Sequence, residues 1–440
     1  MKVAVAGLWH LGMVTAACLA SRGHDVLGFD EPPIIEQLQE NKMPVAEPGL
    51  RELAAKAVSE GRLAYTARAS RVAAAQILWV CYDTPVDDND IADSEYVVSQ
   101  TLSLLPHLAP GSLVLISSQL PTGTTARLES YWHRNGGSEL CFAYSPENLR
   151  LGKAIEVFTN PDRVVVGVRT PEDRDIIAAL LLPFTDRIEW MSVESAEMTK
   201  HALNAFLATS VTFINEIAEL CEKVGADAEE VERGLKTDAR IGSRAYLHPG
   251  SAFAGGTLAR DVSFLLEIAE QQKVTGRLLA GVRQSNGFHK GWLYRRMPEV
   301  VGKLAGRHVA ILGLAYKPGT DTLRRSSAVE VATWLTEQGA TVSAFDPAIR
   351  TLPAELAATM SLCSDAADAL DCADAVLIAT PWPEFQDISA DLLVARMRQP
   401  VVFDPGRHLQ QALGADPRVR YFAVGRSDPL NRQGGTGQRA

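Results

Sequence analysis

Apolar positions along this chain follow two registers in turn. Short strand-length runs alternate with longer stretches of helical period, which is the pattern of an α/β protein. Residues 2–6, KVAVA, predict a strand, MVTAACLASRG a helix and DVLGFD a second strand. Further strands are expected at ILWVCYDTP (77–85) and SLVLISS (112–118), with a helix near 94–106 between them. Residues 193–224 then read as one long helix that Gly225 stops. Met198, Leu203, Phe206, Leu207, Val211, Phe213, Ile214, Ile217 and Leu220 cover much of its circumference, which predicts burial between larger parts. Short helices are expected over 226–244, and more helices run to about 297.

At 307 the pattern starts again. RHVAILGLA predicts a strand, SSAVEVATWLTEQG a helix and TVSAFD a strand; ADAVLIAT and PVVFDP are expected to close the sheet. GHDVLGFD near the start and GATVSAFD here echo each other, as in an internal duplication. The fold expected is α/β, with two Rossmann-like doubly wound domains joined by a long central helix and a helical dimerisation region. The boundaries are a first domain over 1–192, the helical part over 193–298, a second domain over 299–425, and a disordered tail over 426–440 rich in Gly, Arg and Gln.

Candidate chemistry enters at the first turn. Gly7-Leu8-Trp9-His10-Leu11-Gly12 lies between a strand and a helix, and the next strand ends in Asp30. A strand–turn–helix–strand unit with an acid about 20 positions past the glycines binds dinucleotides. Gly7 makes the tight turn, Gly12 lets helix and strand approach, and the helix N-terminus faces the pyrophosphate. Asp30 accepts from the ribose hydroxyls, and Asp30-Glu31 repels a 2′-phosphate, so NAD is expected over NADP. Trp9 replaces the middle glycine of the usual fingerprint.

Two further stretches carry polar groups where packing alone does not ask for them. Lys200 and Asn204 are four apart on the long helix and share a face. A buried lysine is costly unless it has a partner or a task. The run Tyr246 to Asp261, YLHPGSAFAGGTLARD, packs a core poorly but lets backbone approach a ligand. Asp261 is expected to cap the apolar helix that follows it.

Composition narrows the options. Apolar residues are 46% and charged residues 22%, ordinary for a globular protein, and the net charge of −10 without a basic block argues against nucleic acid. No apolar run reaches the roughly 18 residues of a membrane span, and the N-terminus lacks a cleavage pattern. The six cysteines have no metal spacing, and a reduced, cytoplasmic protein without a metal is expected.

The blocks, in this order over roughly 2–410, resemble the UDP-glucose/GDP-mannose dehydrogenase family. The loop resembles its PGxGFGGxCxPKD: Pro249, Gly250, Phe253, Gly255 and Asp261 match, Ala252, Ala254, Ala259 and Arg260 differ, and the nucleophilic cysteine falls on Thr257. Thr84-Pro85, just before the acidic run 87–90, match the family's TP, and Gln119 stands where it has a threonine. Ser145-Pro146-Glu147-Asn148-Leu149-Arg150-Leu151-Gly152 is similar to SPExLxxG, and Lys317, Thr320, Asp321, Arg324 and Ser326 to FKxxTDDxRxS.

The resemblance implies a homodimer through residues near 195–295 and a nucleotide-sugar substrate oxidised at C6 with NAD. Lys200, Asn204, Asp261, Glu147 and Thr257 become the catalytic candidates. Gly7, Leu11, Gly12, Asp30, Thr84, Pro85 and Gln119 become the cofactor candidates. Glu147, Leu149, Lys200, Arg240, Tyr246, Gly250, Phe253, Gly255, Lys317 and Arg324 become the substrate candidates, with Arg240 reaching across a dimer and Lys317 and Arg324 on the diphosphate and sugar. Because Thr257 is no thiol, three outcomes stay open: oxidation that stops at the aldehyde or passes through its hydrate, full oxidation by another route, or nucleotide-sugar binding without catalysis.

Overall fold

The computed structural model describes residues 1–85, 92–253, 257–324 and 326–427. The acidic run 87–90, Gly255 with its neighbours Ala254 and Gly256, and the tail beyond 427 lie outside the described residues. The chain divides into two compact units, Met1–Leu203 and Asn204–Ala440.

The first unit holds an eight-stranded sheet. Its strands are β1 (Lys2–Ala6), β2 (Asp25–Phe29), β3 (Leu63–Thr66), β4 (Ile77–Val80), β5 (Leu113–Ile116), β6 (Cys141–Tyr144), β7 (Val164–Gly167) and β8 (Ile188–Met191), in the order β3-β2-β1-β4-β5-β6-β7-β8. All pairings are parallel except β6 with β7. Side chains alternate between two cores: Val3, Val5, Ile77 and Trp79 enter one face, and Ala4, Ala6, Leu78 and Val80 the other. Both faces are covered, so these strands read as continuous apolar runs rather than alternating ones. Each fully buried Leu or Ile contributes about 1.5–3 kcal/mol.

The helix His10–Ser21 packs through small side chains, and Gly12 through Ala20 are all buried. It starts three residues before the apolar run alone suggests, because the glycine turn feeds straight into its first turn. Thr170 caps the helix Pro171–Leu181 in a reciprocal capping box with Asp173.

The long helix spans Val193–Val224, as the pattern predicts, and Gly225 follows it at φ +81°. Its burial differs from the expectation. Phe206, Phe213 and Leu220 are 70%, 46% and 61% exposed in the single chain. They recur at seven-residue spacing and so share one face of the helix.

The second unit holds a six-stranded parallel sheet of β9 (His308–Leu312), β10 (Thr341–Phe345), β11 (Ser361–Leu362), β12 (Ala375–Ile378), β13 (Val401–Phe403) and β14 (Arg420–Phe422), ordered β11-β10-β9-β12-β13-β14. Its sheet closes on β14 rather than on PVVFDP, because the three residues RYF pair outside β13. Val309 and Ile311 face one core and Ala310 and Leu312 the other, as in β1.

The two units repeat one turn. Gly7 N donates to the Phe29 carbonyl at 3.0 Å, and Gly313 N to that of Phe345 at 2.8 Å. Leu8 N donates to Asp30 at 2.5 Å, and Leu314 N to Asp346 at 2.7 Å.

Candidate active site

Gly7 has φ +87°, and a Cβ there would stand 2.6 Å from the Tyr82 backbone. Only glycine fits both conditions. A Cβ at Gly12 would stand 1.8 Å from the Gly7 carbonyl oxygen, so helix and turn meet backbone to backbone. Trp9 is accommodated because its φ is −78°, a value open to any residue, and its side chain is half exposed. The first helical bond runs from Met13 N to the Trp9 carbonyl at 2.9 Å. The amides before it, Leu11 and Gly12 included, form the positive end of the helix.

The two repeated carboxylates differ in what they have left to give. Asp346 is fully buried and accepts from Leu314 N, Ala315 N and Trp382 Nε1 on one oxygen and Ala348 N on the other. Asp30 is half-buried and accepts from Leu8 N and, at 2.7 Å, from Glu31 N. A carboxylate has about four acceptor sites, so Asp30 keeps capacity for ribose hydroxyls and Asp346 does not. The glycine cradle and Asp30 fit the adenosine and diphosphate of NAD in the first unit. Thr84 Oγ1 donates to the Gln119 carbonyl at 2.7 Å, which joins two more cofactor candidates; Pro85 is exposed.

The Ser145–Gly152 loop leaves β6 through a relay of hydrogen bonds. Trp79 Nε1 donates to Ser117 Oγ at 2.8 Å, and Ser117 Oγ donates to the Ser145 carbonyl at 2.5 Å. Lys200 is 6% exposed, and its Nζ donates to the Glu147 carbonyl at 2.6 Å and lies 3.5 Å from Glu147 Oε1. Glu147 Oε2 also accepts from Leu149 N at 2.8 Å. The expected buried lysine therefore has its partner, and the partner is the expected glutamate.

Two residues beside Lys200 were not legible as site residues. Fully buried Glu197 accepts from Gly123 N, Thr125 N and Thr125 Oγ1 at 2.6, 3.0 and 2.6 Å. It thereby caps the helix Thr124–Arg134 from 72 residues away in sequence. His201 Nε2 donates to the Leu120 carbonyl at 2.9 Å. The spacing of 197, 200 and 201 on one helical face was the available signal.

In the second unit Asn204 Nδ2 donates to Asp261 Oδ2. Asp261 does not cap its helix, contrary to the expectation. The helix Leu258–Gln271 has Thr257 at its N-cap position, and Asp261 is the fully buried end of its first turn. The apolar period marked VSFLLEIA but not the turn of helix drawn from the glycine-rich run. Thr257 is exposed, and its side chain makes no capping bond.

The described part of the loop hangs on three buried polar side chains. Gly250 N donates to Asn215 Oδ1 at 3.0 Å. Phe253 N donates to Asn286 Oδ1, and Asn286 Nδ2 to the Phe253 carbonyl, each at 3.0 Å. His289 Nε2 donates to the Gly250 carbonyl at 2.8 Å while its Nδ1 faces Glu219 at 3.2 Å. Both His289 nitrogens face acceptors, so the ring makes both bonds only when doubly protonated. Asn215 lies eleven residues, about three turns, beyond Asn204 and so shares its face.

The loop 316–324 folds on itself: Tyr316 N donates to the Thr322 carbonyl at 2.9 Å, and Ser326 Oγ fastens its end to the Leu314 carbonyl at 2.6 Å. Lys317 is half-buried and Arg324 exposed on it. Arg240 is exposed and pairs with Asp238 at 2.7 Å; Tyr246 is 57% exposed.

Burial pushes the Cys18 thiol up to about 12 and Cys81 still higher, and burial with nearby carboxylates raises Cys141 to about 11 and Cys221 above its usual range.

A dinucleotide turn with acceptor capacity left on its acid, and a buried lysine against a glutamate, are what a nicotinamide-dependent dehydrogenase is built from. Models of three domains match in order: the NAD-binding domain of the UDP-glucose/GDP-mannose dehydrogenase family over residues 1–185, its central domain over 194–287 and its UDP-binding domain over 310–411. The chain belongs to that family. It is 34% identical over 435 residues to the UDP-glucose 6-dehydrogenase TuaD of Bacillus subtilis, covering 97% of this chain and 93% of that protein. Among solved structures it is similar to a UDP-glucose dehydrogenase of Pyrobaculum islandicum, with TM-score 0.86 and 31% identity over 97% of this chain and 98% of that one. It is also similar to a UDP-D-ManNAc dehydrogenase of Pyrococcus horikoshii, with TM-score 0.84 and 25% identity over 97% and 100%. No described helix is long and apolar enough to cross a membrane.

Proposed function

We propose that this chain oxidises the C6 hydroxyl of a UDP-type sugar with NAD, and does so without a covalent enzyme–sugar thioester. The observation that carries the reading is Lys200, 6% exposed, with its ammonium on the Glu147 carbonyl and beside its carboxylate. A buried ammonium held this way is preorganised to stabilise an alkoxide. Bound NAD supplies the hydride acceptor.

Each remaining role follows from chemistry. Lys200 steadies the C6 oxygen as its proton leaves, and Asn204, one turn on, donates to the same oxygen. Glu147 and Asp261 take or relay the proton. Lys317 and Arg324 hold the diphosphate. By the resemblance of the loop, Thr257 stands in place of the family's cysteine, and an alkyl hydroxyl is far less acidic than a thiol of pKa about 8.5. The second oxidation, where it occurs, proceeds from the hydrate of the aldehyde: water adds to the carbonyl, the C–H bond gives up hydride to the bound NAD, and a carboxylate and two protons remain.

The test is NADH formed per UDP-glucose consumed, with the product identified by mass spectrometry. Two NADH and the uronate establish two successive oxidations, and one NADH with the aldehyde establishes a single oxidation. Tight binding with no NADH from any nucleotide sugar would overturn the catalytic reading in favour of a binding protein. Thr257 as the departure from the family pattern is what keeps that second reading in view.

The face carrying Phe206, Phe213 and Leu220 is taken as the seat of a second copy of this chain. An exposed apolar row on a long helix marks an interface. Phe213→Glu is expected to convert the dimer to monomer in sedimentation velocity; a wild-type chain that sediments as monomer at micromolar concentration refutes it.

A further inference from the structure

Glu47 lies in the connection between the helices Pro32–Gln39 and Leu50–Ser59, where loops are ordinarily exposed. Its side chain is nonetheless 1% exposed. One carboxylate oxygen accepts from His10 Nε2 at 2.9 Å and from Gly152 N at 2.8 Å. The other accepts from Ala154 N at 2.8 Å. His10 opens the helix whose N-terminus forms the dinucleotide turn. Gly152, at φ +88°, ends the loop that carries Glu147 and Leu149. The helix Ala154–Thr159 has no side-chain cap of its own, and Glu47 supplies one from 107 residues away in sequence.

The loop is therefore fastened at both ends, by Lys200 at the Glu147 carbonyl and by Glu47 at Gly152 and Ala154. A cap alone needs only the two amide bonds. The third, to His10 on the same oxygen as Gly152, ties the loop end to the first residue of the cofactor-binding helix. Burial works against the ionised carboxylate, but the bonds from Gly152, His10 and Ala154 outweigh it and hold its pKa below the usual range, so the fastening is charge-assisted.

We propose that Glu47 is a positioning residue that couples the dinucleotide turn to the Ser145–Gly152 loop, so that an occupied cofactor site holds that loop for the substrate. The substrate half of this statement rests on the function proposed above; the coupling itself does not.

The test is hydrogen–deuterium exchange of the full chain over residues 146–154, with and without saturating NADH. In the wild type, NADH slows exchange there by about tenfold. In Glu47→Gln, which keeps the size but turns an amide toward backbone donors, and in His10→Asn, which cuts only the cofactor side, the slowing is lost although NADH still binds. With UDP-glucose, both variants raise KM more than they lower kcat. A merely structural Glu47 would lower Tm and leave the NADH effect intact. NADH protection in Glu47→Gln equal to wild type, or none in the wild type, overturns the proposal. Lost protection in the variants of a chain that never oxidises UDP-glucose would uphold the coupling and sink the substrate reading instead.

Discussion

Replacing Lys200 by alanine lowers hydride transfer by roughly 10³-fold, whereas replacing Thr257 by alanine costs less than about tenfold. The asymmetry follows from their surroundings. The Lys200 ammonium is buried and already aimed, with Glu147 as its partner, so its loss removes the charge on which the C6 oxygen leans. Removing one such preorganised donor typically costs about 3–4 kcal/mol of transition-state stabilisation. Thr257 is exposed, caps nothing and offers a hydroxyl, which is a weak nucleophile at any pH the protein survives. The measurement is single-turnover NADH absorbance for both variants, with NADH binding by calorimetry to show that each is folded. Thr257→Ala as inactive as Lys200→Ala, or an ester trapped on Thr257, would defeat the non-covalent mechanism.

Gly12→Ala is expected to weaken NAD binding by more than about 100-fold and to lower Tm. The added methyl meets the Gly7 carbonyl oxygen at 1.8 Å and the Cys81 side chain at 3.3 Å. The Gly7 side has little room to retreat, because the Tyr82 backbone packs so close behind it that a Cβ on Gly7 would meet it at 2.6 Å. Overpacking of this kind costs about 1–3 kcal/mol or more, and here the helix must leave the turn whose amides face the diphosphate. Gly281→Ala is the control: it lies in the helix Arg277–Lys290 with nothing within 4 Å of the new methyl. That exchange should be neutral or stabilising by up to about 1 kcal/mol. NADH fluorescence titration and thermal melts separate the two, and unchanged NAD affinity in Gly12→Ala would refute the packing argument.

What the sequence made legible was local. The strand, the turn from Gly7 to Gly12, the helix and Asp30 are contiguous, and each signal reinforces the next. The limits of the long helix were legible because period and Gly225 agree. Lys200 with Glu147 was legible as two members of a family pattern, although their contact spans 53 positions. What escaped was set by distant partners. Asn215, Asn286 and His289 hold the loop backbone, and Glu47 holds Gly152, through hydrogen bonds that leave no periodic trace. The helix start at Leu258 escaped because it draws on a glycine-rich run that propensity assigns to loop. The exposure of Phe206, Phe213 and Leu220 escaped because periodicity marks a side chain as apolar without saying what covers it. RYF is simply too short to stand out as a strand, and it forms because β13 presents a free edge beside it.

The placement of the cysteines has a consequence for chemical wear. Peroxides and alkylating agents attack thiolates, and reactivity tracks a lowered pKa with access to solvent. Burial lifts Cys18, Cys81, Cys221 and Cys363 away from that range, and the exposed sulfur, Cys372, sits on a turn before β12. On the mechanism proposed above, with threonine at the head of the Leu258 helix, hydride removal waits on no sulfur. Activity is then expected to survive peroxide treatment that oxidises accessible thiols.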